Sequence, residues 1–233
     1  MLSSFDAHYA HQPAASDSAR LGFIRNTYLH LLLNVVVFGA LVFGLLATSI
    51  AGSFYQAVFS SRFGWLALLL AFGFGAGLLQ TTAYNSSNKL TQYAALFGFI
   101  VLEAIIFAPI AVLGLSAGVL ETSFFATTLL FAVLTFSVLI TKTNYNFLRG
   151  FLVAGSITAL GVILLGILFN LSLFGTIFTV AMIVLMCGWI LYDTSKIVRS
   201  YPTDKHVAAS IAIFADFVTL LWYVVRLLSG SQR

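Results

Sequence analysis

Seven long apolar runs limit this chain to very few folds. A bilayer core about 30 Å thick needs roughly 20 apolar residues in a helix that rises about 1.5 Å per residue. Most of the runs reach this length, and none shows the two-residue alternation of a membrane strand. The runs cover about residues 29–51, 65–79, 92–115, 123–140, 151–169, 173–192 and 208–228. The sequence therefore predicts an all-α membrane protein, a bundle of seven transmembrane helices.

The charge content excludes a soluble domain. Only 8% of the residues are charged and 61% are hydrophobic, whereas soluble domains carry roughly 25% charged residues. Eleven basic residues are too few for a nucleic-acid surface, and the single Cys187 excludes a disulfide within the chain. Motifs such as HExxH, GxSxG and a phosphate-binding loop are absent from the sequence, so we expect neither an enzyme nor a cofactor.

Basic residues in the loops predict the orientation. Eight of the eleven lysines and arginines fall in the tail and the loops on its side. Positive loops face the cytoplasm, which predicts a cytoplasmic N-terminus and an outside C-terminus. Residues 1–22 are predicted to be a flexible cytoplasmic tail, and residues 23–233 to be the transmembrane domain.

Two acids near the end of the chain stand out because ionisable groups are costly inside a bilayer. Asp216 lies inside the seventh apolar run and Asp193 ends the sixth, and an aspartate at a helix centre costs about 2.5–3.5 kcal/mol. The two helices run in opposite directions, so the acids reach a similar depth and could share a proton, as a pH sensor would. Alternatively, Asp193 is an interfacial acid bonded to Lys196, one turn away.

A third acid, Glu103, lies mid-span six residues before Pro109. A proline inside a helix removes a backbone hydrogen bond and kinks it, which makes room for water or a ligand. Glu103 and Pro109 could therefore line a cation path. The sequence equally allows a simple hydrogen bond from a neighbouring Ser, Thr or Tyr to Glu103.

Several short motifs resemble the Bax inhibitor-1 family, and especially its bacterial YccA-like branch. The similarity extends over nearly the whole chain after the tail, and it includes the acids Glu103 and Asp216. The other matching segments are residues 25–28 (RNTY), 85–89 (NSSNK), 141–142 (TK) with 147–150 (FLRG), and 190–194 (ILYDT). Two departures are clear: Asn144 replaces an acid of the family's inner loop, and the second span has no arginine to latch Asp193.

The resemblance implies a pH-sensitive calcium leak. In this interpretation Asp193 and Asp216 hold the cytoplasmic side closed while they share a proton, and they are the candidate Ca²⁺ ligands. Lys89 or Lys196 would replace the missing arginine.

For the YccA-like branch, the resemblance also implies a location in the bacterial inner membrane and an alternative role. That role is modulation of the FtsH membrane protease through the N-terminal tail, with its basic residues Arg20 and Arg25.

Overall fold

The computed structural model describes residues 17–60, 62–169 and 175–231. Within these ranges the chain forms helices joined by turns, with no strand. The elements are α1 (Asp17–Leu46), α2 (Ser49–Phe59), α3 (Arg62–Asn85), α4 (Lys89–Ser116), α5 (Leu120–Thr141), a 3₁₀ turn (Asn146–Leu148), α6 (Arg149–Phe169), α7 (Thr176–Arg199) and α8 (His206–Ser231). Every α-helix except the short α2 includes a segment long and apolar enough to cross a membrane, which confirms the predicted seven-helix bundle.

The first predicted span, residues 29–51, differs most from the structure. The helix already begins at Asp17, inside the segment 1–22 that the sequence assigned to a tail, while residues 1–16 lie outside the described part. It ends at Leu46, and α2 follows after a break at Thr48. Thr48 has an extended backbone, and its hydroxyl donates to the carbonyl of Leu45 at 2.8 Å. Hydropathy misses this break because the residues on both sides of it are apolar.

Helices α4 and α8 form the centre of the bundle. Their most apolar segments are 61% and 56% buried, compared with 6% for α3. The ring of Phe99 meets Phe214 at 6.3 Å, and further along Phe107 meets Trp222 at 6.2 Å. Residue numbers rise together along this contact, so α4 and α8 run in the same direction.

In the sequence only residues 170–172 separate the fifth and sixth apolar runs, and so tight a link predicts an antiparallel hairpin. Helices α6 and α7 do pack antiparallel. A Cβ built on Gly188 would lie 2.6 Å from Leu152, and one built on Gly155 would lie 2.8 Å from Leu185. The indole of Trp189 also donates to the hydroxyl of Ser156 at 3.0 Å. The predicted tight link at residues 170–172 lies outside the described residues.

The bundle has two ends, which we name by the terminus each carries. The N-side holds the start of α1, the end of α3 and the loop between α7 and α8, since Phe23, Tyr84 and Tyr201 meet there. The C-side holds the end of α4 and the end of α8, where Gly114 approaches Val225. Which side faces the cytoplasm stays a prediction.

Candidate functional site

Asp193 of α7 and Asp216 of α8 lie side by side in the N-side half of the bundle. Their carboxyl groups are within hydrogen-bonding contact. Asp216 is 7% exposed and Asp193 is partly buried. A carboxylate carries no proton to donate, so a hydrogen bond between these two groups needs one shared proton. The arrangement is chemically able to hold or release that proton.

Three hydroxyl groups, from Tyr28 on α1, Thr135 on α5 and Thr194 on α7, cluster beside Asp216. The hydroxyl of Tyr28 lies close to those of Thr135 and Thr194 and within electrostatic range of Asp216. All three hydroxyls are buried, yet none has a well-aligned hydrogen bond within the described ranges, and Asp216 Oδ2 is likewise unsatisfied there. Buried polar groups normally find a partner or hold water. The acid pair therefore lies in a polar region of the protein interior.

The two lysines that the sequence offered as charge partners lie in different places. Lys196 is within electrostatic range of both acids, and its ammonium lies 5.4 Å from the ring centre of Tyr192 and 5.7 Å from that of Tyr201. Lys89 instead lies near His206 at the start of α8. Of these two candidates, Lys196 is the one beside the pair.

An aromatic cluster lies at the N-side end of the bundle, and we call its residues Phe23, Tyr84 and Tyr201 the N-side plug. The ring of Tyr201 is 6.0 Å from Phe23 and 6.1 Å from Tyr84. The guanidinium of Arg20 donates to the carbonyl oxygens of Ile197, at 3.4 Å, and Tyr201, at 2.5 Å. Arg20 was predicted to belong to a partner-binding tail with Arg25. It lies on α1 and binds the α7–α8 loop, whereas Arg25 is exposed on the same helix.

A cavity of about 860 Å³ occupies the C-side of the bundle. Its wall on α4 runs from Glu103 to Leu113 and its wall on α8 from Val218 to Gly230, so its deepest point is near the middle of both helices. Thr219 lines it, and Asp216 lies one helical turn away along α8. Val218, the lining residue of α8 nearest to the pair, is about 3 Å of helix rise from Asp216.

Glu103 and Pro109 both line this cavity. Glu103 is 3% exposed, and its carboxyl forms no hydrogen bond or ion pair with any described residue. Of the two alternatives that the sequence left open, the hydrogen bond from a neighbouring Ser, Thr or Tyr is therefore not seen.

The donor set does not fit a resident metal ion. Ca²⁺ in a stable site takes 6–8 oxygen ligands. The described chain contains no group of three or more His, Cys, Asp or Glu able to hold a metal. Two carboxylates can attract a passing cation, which would then be cargo and not a cofactor.

Sequence reasoning missed much of this region. Tyr28 and Thr194 fall in the family-like segments 25–28 and 190–194. Nothing in the sequence places them or Thr135 beside the acids, because hydroxyl residues are common in membrane helices. Tyr201 and Trp222 read as ordinary apolar residues until the fold shows what they touch. The buried acids alone could be found from sequence, because each is costly in lipid.

Comparison with known proteins matches nearly the whole chain. A family model described as "Inhibitor of apoptosis-promoting Bax1" matches residues 20–233. A "Golgi anti-apoptotic protein" of Vaccinia virus (strain Lister) is 27% identical, over 94% of this chain and 90% of its own length. The "Bax inhibitor 1" of Sus scrofa is 29% identical, over 78% of this chain and 79% of its own, and that of Homo sapiens 26%, over 77% and 75%.

Proposed function

The chain belongs to the Bax inhibitor-1 family, and from that premise we propose that it is a pH-sensitive cation leak, with Ca²⁺ as the permeant ion and Asp193 and Asp216 as its gate. The observation that carries the proposal is the contact between the two carboxyl groups inside the membrane-spanning bundle. Intramembrane acids are rare because they are costly, and where they occur they commonly mark ion or proton paths.

The proposed path begins in the C-side cavity. A cation entering there meets Glu103 and then Thr219, one turn from Asp216. Beyond the acids, the N-side plug and the Arg20 contacts block the way. The leak therefore needs the acid pair to separate and the plug to loosen, which is the transition that the proton controls.

The protonation state of the acid pair determines how the proposed flux depends on pH. With one shared proton, a hydrogen bond joins α7 to α8 and the path stays closed. When that proton leaves, two negative charges face each other in a poorly hydrated interior, where repulsion is strong. Flux should therefore be low in acid and rise as the pH rises.

Calcium flux into liposomes tests the proposal. We expect purified protein to carry a pH-dependent Ca²⁺ flux that becomes independent of pH in the double variant Asp193→Asn with Asp216→Asn, because amides do not titrate. Asp204→Asn is the matched control, since Asp204 is an exposed loop acid with its side chain 71% accessible. A double variant that keeps the wild-type pH profile would remove the gate.

The similarity of residues 25–28 (RNTY) to the YccA-like branch supports a second candidate function. In this alternative the protein lies in a bacterial inner membrane and modulates the FtsH protease through its N-terminal tail. The name "anti-apoptotic" of a viral relative also describes a regulatory role.

Deletion of residues 1–16 separates the two functions, because it spares Arg20 and its contacts with the α7–α8 loop. A tail-dependent regulator loses co-purification with the protease while its Ca²⁺ flux stays unchanged. If the truncated chain still co-purifies, the tail is not the docking segment.

A further inference from the structure

The C-side cavity is lined largely by aromatic and aliphatic side chains. The rings of Trp65 and Trp222 stack on its wall, with centres 5.5 Å apart and planes 26° from parallel. Phe72, Phe178 and Tyr223 add further rings. Binding pockets for organic molecules span roughly 300–1,000 Å³ and combine apolar walls with few polar groups, so a cavity of about 860 Å³ falls within this class.

One acidic group lies at the deep end of this cavity. Glu103 is the α4 residue of the wall furthest from the C-side, it is 3% exposed, and it has no hydrogen-bond or ionic partner among the described residues. An ionised carboxylate held at this depth without a partner is unstable. It requires either a proton or a cation, and the cavity gives a cation access.

We infer that the C-side cavity is a binding site for an organic cation, a molecule with one ammonium-type or phosphonium-type charge on an apolar body. The charge pairs with Glu103, while the body packs against Trp222, Trp65 and the neighbouring rings. Aromatic faces attract cations, and the attraction is stronger where the contact is shielded from water. Neither the acid pair nor calcium flux is needed for this binding.

The other ligand classes fit the cavity less well. A resident divalent metal needs several oxygen ligands, and no cluster of three His, Cys, Asp or Glu occurs in the described chain. A neutral apolar molecule would make no use of the acid that the cavity holds at its deep end. Arg226 lines the part of the cavity nearer the C-side, about two turns beyond Thr219 along α8, so the cation belongs at the Glu103 end.

Isothermal titration calorimetry on the full chain in detergent, with tetraphenylphosphonium as the probe, tests the inference. We expect saturable binding of one cation per chain, weakened at least tenfold in Glu103→Gln. Glu121→Gln is the matched control because Glu121 is an exposed acid on α5 outside the cavity, and it should bind within twofold of wild type. Triphenylphosphine oxide, which keeps three rings without the charge, should bind at least tenfold more weakly.

A second measurement uses the unaltered protein and does not depend on a variant that folds. A hydrophobic carbodiimide reacts with carboxyl groups in apolar surroundings, and mass spectrometry maps the labelled residue. Saturating tetraphenylphosphonium should slow labelling of Glu103 at least fivefold and leave that of Asp216 unchanged.

Three results would overturn the site: no saturable binding by wild type, unchanged binding by folded Glu103→Gln, or no protection of Glu103. Binding should also persist in the double variant Asp193→Asn with Asp216→Asn. A failed calcium gate and a failed cation site are therefore distinguishable.

Discussion

Arg20 and Tyr201 join the first helix to the loop that precedes the last one. The guanidinium of Arg20 donates to the carbonyl oxygen of Tyr201 at 2.5 Å, and the ring of Tyr201 packs on Phe23, one turn along α1. This contact connects residues 181 positions apart in the chain. The loop that it holds lies between the helices that carry Asp193 and Asp216, so the contact links the N-side plug to the acid pair.

The first prediction concerns the hydrogen bond from Arg20 to Tyr201. Arg20→Ala should destabilise the protein by about 1–2 kcal/mol, because a hydrogen bond from a charged donor is lost. It should also speed amide hydrogen exchange in residues 200–205. Arg25→Ala is the control, since Arg25 is exposed on the same helix and its loss should change neither quantity. Equal rates of amide exchange in the two variants would show that Arg20 does not hold the α7–α8 loop.

The second prediction separates two ways of removing the same charge. Asp216→Asn keeps a donor that can bond Asp193 at every pH, so Ca²⁺ flux should be low and independent of pH. Asp216→Ala removes both the bond and the proton, so flux in acid should rise severalfold above wild type. Liposome flux measured across the pH range decides between them, and identical profiles for the two variants would show that the pair does not hold the gate.

Most of the fold followed from apolar length alone, because the bilayer imposes it. The seven spans were predictable in this way. The continuation of α7 past Asp193 to Arg199 was predictable for another reason, because no helix breaker occurs before Pro202. The break at Thr48 was not, because a run of hydropathy contains no information about a change in backbone direction. Hydropathy also could not show that α1 begins at Asp17, since its first turn, residues 17–20, is made of polar and small residues.

The residues of the candidate site also differ in whether the sequence could predict them. Glu103, Asp193 and Asp216 are visible in the sequence because their cost in lipid is a property of each residue. The stacking of Trp65 on Trp222 and the contact of Arg20 with Tyr201 depend on which helices are neighbours. Such long-range pairings cannot be derived from one sequence.

The third prediction concerns the contact between the two central helices, α4 and α8, near their C-side ends. A Cβ on Gly114 would lie 2.7 Å from a methyl group of Val225, which is fully buried and has little rotational freedom. Gly114→Ala should therefore destabilise the protein by about 1–3 kcal/mol through overpacking. Gly161→Ala, where a Cβ meets nothing within 4 Å, should be neutral or stabilising because alanine favours helix. Thermal unfolding in detergent compares them, and equal midpoints would mean that α4 and α8 lie further apart.

The fourth prediction fixes the direction of the protein in the membrane. Eight of the eleven basic residues belong to the tail and the loops on its side, so the N-side should face the cytoplasm. In a Cys187→Ser background, Ser116→Cys marks the C-side end of α4 and Asp204→Cys marks the α7–α8 loop. A membrane-impermeant maleimide added to intact cells should label the first and not the second, and permeabilisation should make the second reactive. The opposite pattern would invert the bundle, and the N-side plug would then close the path against the outside.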